Sequence, residues 1–423
     1  MKTVSDLRPV YVSAFLRALA AGMVAVVLGI YLSRAGFSAT RIGIVTSAGL
    51  AGVAVSTLLT GLVAERFGRR RTLILLSLLG AIGGLGLALT DNFFALVLLA
   101  FAGMLNAAGH DRGAAGSIEQ VLVPESVSPG GRTGALARYN IVLGAGHALG
   151  ALAAGLPFLL RSQFRVGLLA SYRGAFGLCG LLGLLSAASY LFLSPQADFT
   201  RKTPSPRRWV SNESKGIIAR LAVLFSMDSL GGGFLTTTIL AYWFFRRFGV
   251  TEAGLAPIFF AARLLNSVSY WTAARLARRI GLLNTMVFTH IPSSLLLMAV
   301  PFAPSLPWAT AFFLAREGLA QMDVPTRQSY LIAAVRPEDR VFASGTTNLS
   351  RNISRACTSS LSGYVMQNVS LAAPLFLGGA MKVVYDLLLY TALRRSKPGE
   401  EGQKPWEEAS AVSQLSRSRG RLE

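Results

Sequence analysis

Long apolar segments alternate with short polar ones along most of the chain. One helical crossing of a bilayer core about 30 Å thick needs roughly 20 apolar residues. On this measure the pattern predicts twelve membrane-spanning helices. They are predicted at 10–32, 42–64, 72–90, 93–113, 134–159, 172–194, 217–245, 252–276, 285–303, 308–328, 341–366 and 371–394.

The turn residues of the chain recur at a fixed offset. Gly36 and Gly249 lie 213 positions apart, and so do Gly68 and Gly281. A repeat on this scale indicates one half-molecule written twice. The sequence therefore predicts an all-α membrane protein with twelve transmembrane helices in two pseudo-symmetric six-helix halves.

The domain boundaries follow from the same pattern. The first six-helix half is predicted at 1–194 and the second at 217–394. Between them, 195–216 is polar, basic and proline-bearing, which is typical of a cytoplasmic linker. The tail, 395–423, is charged and serine-bearing, so we expect it to be cytoplasmic and disordered.

Composition supports a membrane protein. Of the 423 residues, 52% are hydrophobic and only 14% are charged, whereas soluble domains carry about 25% charged residues. The formal charge of +21 could suggest a nucleic-acid partner. The basic residues instead concentrate in alternate loops, as the positive-inside rule predicts, so we expect no nucleic-acid partner. The predicted location is the cell (inner) membrane, with both termini cytoplasmic and the lipid bilayer as a partner.

Enzyme, cofactor and metal readings find no support in the sequence. It carries no phosphate-cradling loop, nucleophile elbow or metal-ligand spacing, so we expect no enzyme activity, no cofactor, no metal and no ATP-driven step. Cys179 and Cys357 both fall in apolar segments and are interpreted as core residues.

A short basic segment joins predicted helices 2 and 3. Residues 61–71 read Gly-Leu-Val-Ala-Glu-Arg-Phe-Gly-Arg-Arg-Arg. This resembles the Gly-x-Leu-Ala-Asp-Arg-x-Gly-Arg-Arg signature of the major facilitator superfamily, with Glu65 in place of Asp. The resemblance covers residues 9–394 and implies a central cavity that opens alternately to the two sides of the membrane.

The resemblance also implies a conformational latch in this loop. In the family the carboxylate, here Glu65, lies near a helix N-terminus and an arginine, which favours the outward-facing state. The latch residues implied here are Gly61, Glu65, Arg66, Gly68 and Arg69. The alternative is that the arginines only set topology, and we favour it for Arg70 and Arg71.

Other segments indicate which members of the family the chain resembles. Residues 322–328 and the run Ser117, Glu119 and Gln120 are similar to those of prokaryotic members. The arginine that drug–proton exporters carry in helix 4 is missing from 103–107, and helix 5 lacks their proline. Standard drug antiport is therefore disfavoured.

Ionisable groups inside the predicted helices are the candidate site, because such groups are costly at bilayer depth and usually functional. Arg17 in helix 1 and Asp228 in helix 7 have similar predicted depth, so we hypothesise that they pair. The alternative is that either side chain reaches back to the membrane surface. Lys382 and Asp386, one turn apart on an outer helix, are interpreted as a structural pair.

Basic side chains outnumber acidic ones in this set. Arg351 and Arg355 are one helical turn apart and share a face. The substrate-binding candidates are Arg17, Arg263, Arg316, Arg351, Arg355 and His147. The surplus suits an anionic solute, because the guanidinium group matches planar oxyanions. The alternative is that these residues form structural ion pairs between helices. For proton coupling the candidates are Asp228, Asp323 and Glu317, followed by His147.

The leading functional prediction is a monomeric secondary transporter of a small solute, with proton-coupled efflux of an organic or anionic compound. The first alternative is uptake of an anionic nutrient such as an organic acid. The second, from another class, is a membrane sensor or scaffold that transports nothing.

Overall fold

The computed structural model of the chain describes residues 7–105, 108, 113–128, 131–194, 212–336 and 339–394. Apart from turns and one short 3-10 helix, Val300–Phe302, the regular structure of these residues is α-helical, which confirms the all-α prediction. The helices are α1 (Leu7–Arg34), α2 (Ala39–Phe67), α3 (Arg69–Leu89), α4 (Phe93–Ala102), α5 (Ala114–Glu125), α6 (Arg132–Ala153), α7 (Leu156–Phe164), α8 (Leu168–Tyr190), α9 (Asn212–Gly233), α10 (Thr237–Phe248), α11 (Glu252–Ile280), α12 (Leu282–Ala299), α13 (Leu306–Ala320), α14 (Asp323–Ala334), α15 (Arg340–Asn368) and α16 (Ala373–Leu393).

These helices group into the twelve predicted spans, because four spans consist of two helices each. The interrupted spans are α4–α5, α6–α7, α9–α10 and α13–α14. The prediction for the fourth span was wrong at its end: α5 continues to Glu125, where hydropathy placed the end at 113. The first part of this span ends near Met104, whose φ of 51° lies in the left-handed region. The second part carries polar side chains that hydropathy does not recognise as membrane-spanning.

The least apolar spans form the interior of the second half. Eight helical segments are long and apolar enough to cross a membrane by length and composition. The spans outside that set are α4–α5, α11, α13–α14 and α15. Three of these four belong to the second half and carry most of the candidate site. Polar spans inside a bundle are expected around a water-filled cavity rather than against lipid.

The internal repeat is visible in the backbone. Among the described glycines, those with positive φ are Gly36 (85°), Gly68 (90°), Gly249 (66°) and Gly281 (86°). These are the two pairs that the sequence relates by 213 positions, and each turns the chain between consecutive spans. Glycine tolerates this backbone conformation because it has no Cβ atom. The duplicated turns thus follow from the duplicated sequence.

The hydrophobic cores differ between the two ends of the bundle. We call the end with Leu7 and Leu393 the terminal end, and the opposite end, with Gly36 and Gly249, the loop end. At the loop end one cluster joins both halves and includes Tyr31, Trp243 and Phe313. At the terminal end each half has its own cluster, centred on Tyr139 and Tyr190 in the first half and on Tyr330 and Tyr385 in the second.

Polar and close backbone contacts seal the loop end. The hydroxyl of Thr238 in α10 donates to the carbonyl oxygen of Ala25 in α1 at 2.8 Å. Helices α2 and α15 approach so closely at Gly43 that a Cβ atom there would lie 3.0 Å from the Cα atom of Gly363. In lipid no hydrophobic force drives helices together, and small residues allow their backbones to approach closely and pack. In the described residues the halves are therefore joined at the loop end and parted at the terminal end.

The predicted linker and tail fall mostly on residues 195–211 and 395–423, outside the described part of the chain. The domain boundaries stay predictions. Helix α9 already begins at Asn212, five residues before the predicted start of the second half.

Candidate functional site

Asp228 is the centre of a buried charge cluster in the second half. Its side chain, on α9, accepts from the Nζ atom of Lys382 at 2.6 Å, from Arg327 at 3.2 Å and from Arg351 at 3.5 Å. These three cations come from α16, α14 and α15. A single carboxylate thus compensates, in part, three basic side chains.

Three more arginines surround this cluster. Arg263 in α11 donates to the hydroxyl of Thr237 at 2.9 Å. Arg316 pairs with its neighbour Glu317 in α13. Arg355, one turn after Arg351 in α15, lines the same cavity. All of these side chains come from helices packed around one space.

The cavity has about 870 Å³ of empty space, part of it open to solvent. Within the described residues its ionisable lining consists of six basic side chains, three carboxylates and one histidine. These are Arg263, Arg316, Arg327, Arg351, Arg355, Lys382, Asp228, Glu317, Asp323 and His290. The lining therefore has a surplus of positive charge.

Breaks in two spans position part of the lining. Helix α13 ends at Ala320 and α14 begins at Asp323, so this carboxylate lies in a first helical turn, where the helix dipole favours an anion. Arg327 follows one turn later and pairs with Asp323. Helix α10 begins after Thr236, whose hydroxyl caps it, and this places Thr237 at the cavity wall.

A histidine lies behind the Asp228 cluster. The Nδ1 atom of His290 in α12 is 2.9 Å from a carboxylate oxygen of Asp386, and its Nε2 atom is 3.4 Å from the Nζ atom of Lys382. Both helices involved, α12 and α16, pack against each other at the side of the bundle. The cluster therefore extends from the cavity wall into the protein.

The first half carries a separate buried ion pair. Glu119 in α5 is completely buried and accepts from Arg17 at 2.5 Å, from Tyr190 at 2.5 Å and from Tyr139 at 2.8 Å. Arg17 also donates to the hydroxyl of Tyr190 at 3.0 Å. This pair links the first and fourth spans of its half.

The structure gathers most of the predicted site and corrects one pairing. Arg263, Arg316, Arg351, Arg355, Asp228, Asp323 and Glu317 line one cavity. The hypothesis that Arg17 pairs with Asp228 is wrong, because Arg17 contacts Glu119 and Asp228 contacts cations of its own half. His147 lies in α6, where its backbone packs against α1 at Gly22, and it is not part of the cavity lining.

The interpretation of Lys382 and Asp386 as a pair is also wrong. Lys382 turns to Asp228 and Asp386 turns to His290. Sequence reasoning did not propose Lys382, His290, Arg327 or Glu119 as site residues. Two signals were available: Arg327 stands one turn after Asp323, and His290 is a lone histidine in an apolar segment.

The latch prediction is described only in part. For Gly61, Glu65 and Arg66 the structure describes only the helical backbone of α2. Gly68 separates α2 from α3 with its positive φ. Arg69 pairs at 2.7 Å with Glu125, at the end of α5, so this arginine ties two spans of the same half together.

The two halves carry equivalent ion pairs of opposite polarity. Arg17 of the first span pairs with Glu119 of the fourth, whereas Asp228 of the seventh pairs with Arg327 of the tenth. The residues themselves are not in register, because they lie 211 and 208 positions apart, whereas the turn glycines lie 213 apart. Among the described residues, further cations contact the carboxylate only in the second half. Equivalent spans of the two halves therefore carry ion pairs of reversed polarity in different surroundings.

A twelve-span bundle with a charged internal cavity closed at one end defines a membrane transporter. The sequence profile of the Major Facilitator Superfamily matches residues 10–322 and 273–421, and the chain belongs to this family. It is 24% identical over 416 residues to the uncharacterized membrane protein YJR124C of Saccharomyces cerevisiae (strain ATCC 204508 / S288c), with 91% of this chain and 93% of that protein covered.

Solved structures share the fold. The nucleoside transporter NupG matches with a TM-score of 0.71 at 16% identity, covering 93% of this chain and 100% of its own. The D-xylose-proton symporter matches with a TM-score of 0.71 at 15% identity, covering 91% and 97%. A POT family transporter in complex with 5-aminolevulinic acid gives 0.71 at 15%, covering 92% and 96%. At these identities the likeness shows the fold alone.

A buried ion pair between the halves leads to a prediction about the loop end. Arg161 in α7 pairs with Glu252 at the start of α11, and Tyr172 donates to the same carboxylate at 2.8 Å. Glu252 is only 2% exposed. Breaking a buried pair by removing one charge is strongly destabilising. We therefore expect Glu252→Gln to open the loop end.

This opening can be measured as a distance. Phe94 and Phe302 are both exposed and lie in opposite halves. Each is replaced by cysteine to carry a spin label, after the native Cys179 and Cys357 have been replaced. In Glu252→Gln the fraction of molecules with a longer distance between the labels is expected to rise at least threefold. The control is Arg173→Gln, whose partner Asp91 lies in the same half. Identical distance distributions in Glu252→Gln and the unmutated chain would show that this pair does not hold the end closed.

Proposed function

We propose that the chain carries a small organic anion across the membrane by alternating access, coupled to protons. The observation that supports this is the lining of the cavity, in which six basic side chains face three carboxylates. Several cations close together in a low-dielectric interior repel one another. A bound anion would relieve that repulsion, and arginine would give it paired, charge-assisted hydrogen bonds.

Arg351 and Arg355 are the proposed centre of anion binding. They project from one helix, one turn apart, into the space that Arg263 and Arg316 border. Asp323 and Glu317 pair with Arg327 and Arg316 of the wall, and Asp228 contacts Lys382, Arg327 and Arg351 itself. An anion with two acidic groups would bridge the paired arginines and one of the more distant basic groups.

The orientation proposal rests on the charge of the loops. The positive-inside rule makes the terminal end cytoplasmic, with both termini inside the cell. The parted halves at that end then correspond to an inward-open carrier, and the sealed loop end faces outward. The cavity is built by one chain, so we propose a monomer.

The direction of transport depends on how proton and anion affect each other's binding. If each strengthens the other the two travel together, and if each weakens the other they exchange. The loop motif of residues 61–71 favours efflux, because an intact motif is common among exporters of the family. Uptake of an anion is the alternative. A sensor or scaffold without transport would tolerate loss of the cavity charges.

The test is a thermal-shift screen of purified protein against organic anions, sulfate and lipophilic cations. A ligand at 100 times its Kd stabilises by about 2.7 kcal/mol. An organic anion or sulfate is expected to stabilise the protein. In Arg351→Gln/Arg355→Gln the affinity for that anion should be at least tenfold lower.

The matched control is Arg278→Gln, which removes an exposed arginine of α11 that is not part of the cavity lining. Stabilisation by lipophilic cations alone would overturn the anion proposal and favour drug transport instead. Equal anion affinity in the double variant would remove the paired arginines from the site.

A further inference from the structure

We propose that His290, held between Asp386 and Lys382, is the proton-binding site, and that its protonation frees Lys382 to bind the anion. The inference rests on the proposed anion transport and adds the group through which protons act on it. It places the proton on the outer pair α12 and α16 rather than on the cavity carboxylates.

Four side chains form a continuous chain of polar contacts. The two carboxylate oxygens of Asp386 lie 3.0 and 2.9 Å from the Nδ1 atom of His290. The Nε2 atom lies 3.4 Å from Lys382 Nζ, which in turn donates to Asp228 at 2.6 Å. The chain therefore leads from a carboxylate inside the protein to the carboxylate at the cavity wall.

The neutral imidazole fits this arrangement in one tautomer. A lysine ammonium can only donate, so the Nε2 atom beside it must accept and the Nδ1 atom must carry the hydrogen towards Asp386. All four groups then have partners, and Lys382 is held by both His290 and Asp228. In this state the ammonium compensates Asp228 and is withheld from the cavity.

Protonation changes the partner of Lys382. The added proton forms a bond with Nε2 and uses the lone pair that accepted from the ammonium. Two cations then face each other across 3.4 Å. The new Nε2–H group has Asp228 as its nearest acceptor, with 3.8 Å between Nε2 and the carboxylate oxygen. The imidazolium thus replaces the ammonium at Asp228, and Lys382, which already lines the cavity, turns towards it.

The surroundings of His290 tolerate the imidazolium. Helices α11, α13, α14 and α16 pack against α12. Among the described residues, the other ionisable side chains that line the cavity with His290 or contact it are Asp228, Arg263, Arg316, Glu317, Asp323, Arg327, Arg351, Arg355, Lys382, Tyr385 and Asp386. The two that lie within 4 Å and carry negative charge are Asp228 and Asp386. Asp386 can accept a hydrogen bond from the Nδ1–H group of the imidazolium, and Asp228 can accept one from its Nε2–H group. His290 also borders the cavity, so protons reach it through the same solvent as the anion.

The sign of the coupling follows from this exchange. Each bound proton adds one positive charge to the site and exposes an ammonium to the cavity, so it strengthens anion binding. By reciprocity the anion strengthens proton binding to the same extent. Proton and anion then travel together, which favours uptake along an inward proton gradient over exchange.

The experiment measures anion affinity against pH by calorimetry in nanodiscs, with ethane-1,2-disulfonate and sulfate as probes, because neither takes up a proton in this pH range. In the unmutated chain the affinity is expected to rise at least fivefold from pH 8.5 to pH 5.5. In His290→Gln it should be independent of pH. The control is Thr289→Val, a buried neighbour whose hydroxyl bonds only within its own helix at Thr285, and it should keep the full pH dependence. An unchanged pH dependence in His290→Gln would overturn the proposal.

A second measurement needs no anion and separates this inference from the proposed function. The chain has three histidines, so ring signals of ¹⁵N-histidine protein can be assigned through His290→Gln. At pH 8.5 the ¹⁵N signals of His290 should show its hydrogen on Nδ1, and in Lys382→Met the Nε2 signal should shift, because the ammonium that donates to it is gone. A hydrogen on Nε2 at this pH, or an Nε2 signal unchanged in Lys382→Met, would overturn the proton site. Failure of both probes to bind would count against anion transport only.

Discussion

Asp228→Asn is expected to abolish transport and to destabilise the folded protein by about 3–5 kcal/mol, because it leaves buried cations without their counter-charge. Lys382, Arg327 and Arg351 all contact this one carboxylate, which is only 3% exposed. An asparagine of the same shape can still accept hydrogen bonds but cannot compensate charge.

Stability is measured by denaturant unfolding in detergent, and transport by uptake into proteoliposomes. The double variant Asp228→Asn/Lys382→Met removes one cation with the carboxylate and is expected to recover at least half of the lost stability, while transport stays absent. If Asp228→Asn were as stable as the unmutated chain, the cavity would have to be hydrated well enough to screen all three cations.

Glu119→Gln is expected to destabilise the first half by about 3–5 kcal/mol, since Arg17 then keeps its charge in a buried setting without a carboxylate. Glu119 is completely buried and also accepts from Tyr139 and Tyr190. The two hydroxyls donate to different carboxylate oxygens. In the glutamine one hydroxyl can still donate to the amide oxygen and the other can accept from the amide nitrogen, so the loss is assigned to the charge. The effect is larger than any expected from a surface ion pair, which contributes about 0–1 kcal/mol.

The matched control is Glu125→Gln in the same helix, because Glu125 is exposed and pairs with the half-buried Arg69. Unfolding of both variants is followed by far-ultraviolet circular dichroism, which reports the helical backbone. Removal of both charges in Arg17→Gln/Glu119→Gln is expected to restore most of the stability. Equal unfolding of Glu119→Gln and Glu125→Gln would refute the structural role of the buried pair.

The fold could be predicted from the sequence to a large extent. Apolar segments marked the twelve spans, and the glycines at 36, 68, 249 and 281 marked the repeated turns. Three of the interrupted spans could not be predicted, because hydropathy averages over a window and does not register a break of two or three residues. The end of the fourth span was missed for another reason, because the polar side chains of α5 lower its hydropathy.

The sequence identified most of the residues of the site but not the contacts between them. Charges at membrane depth on inner helices pointed to Arg351, Arg355 and Asp228. Lys382 was set aside because its helix lies at the outside of the bundle, yet its long side chain reaches Asp228. Similar depth suggested that Arg17 and Asp228 pair. Depth fixes only one coordinate, and the internal partners Glu119 and Arg327 lie at comparable depth.

The positive surplus of the cavity has an electrical consequence. A carrier open to one side at a time places most of the membrane voltage across its closed end. Moving one elementary charge through 100 mV is worth about 2.3 kcal/mol. With the predicted topology and a negative cytoplasm, the voltage draws the empty, positively charged carrier towards its inward-facing state. A bound anion cancels the charge and releases the carrier from this bias, so turnover of the empty and the loaded forms should respond differently to voltage.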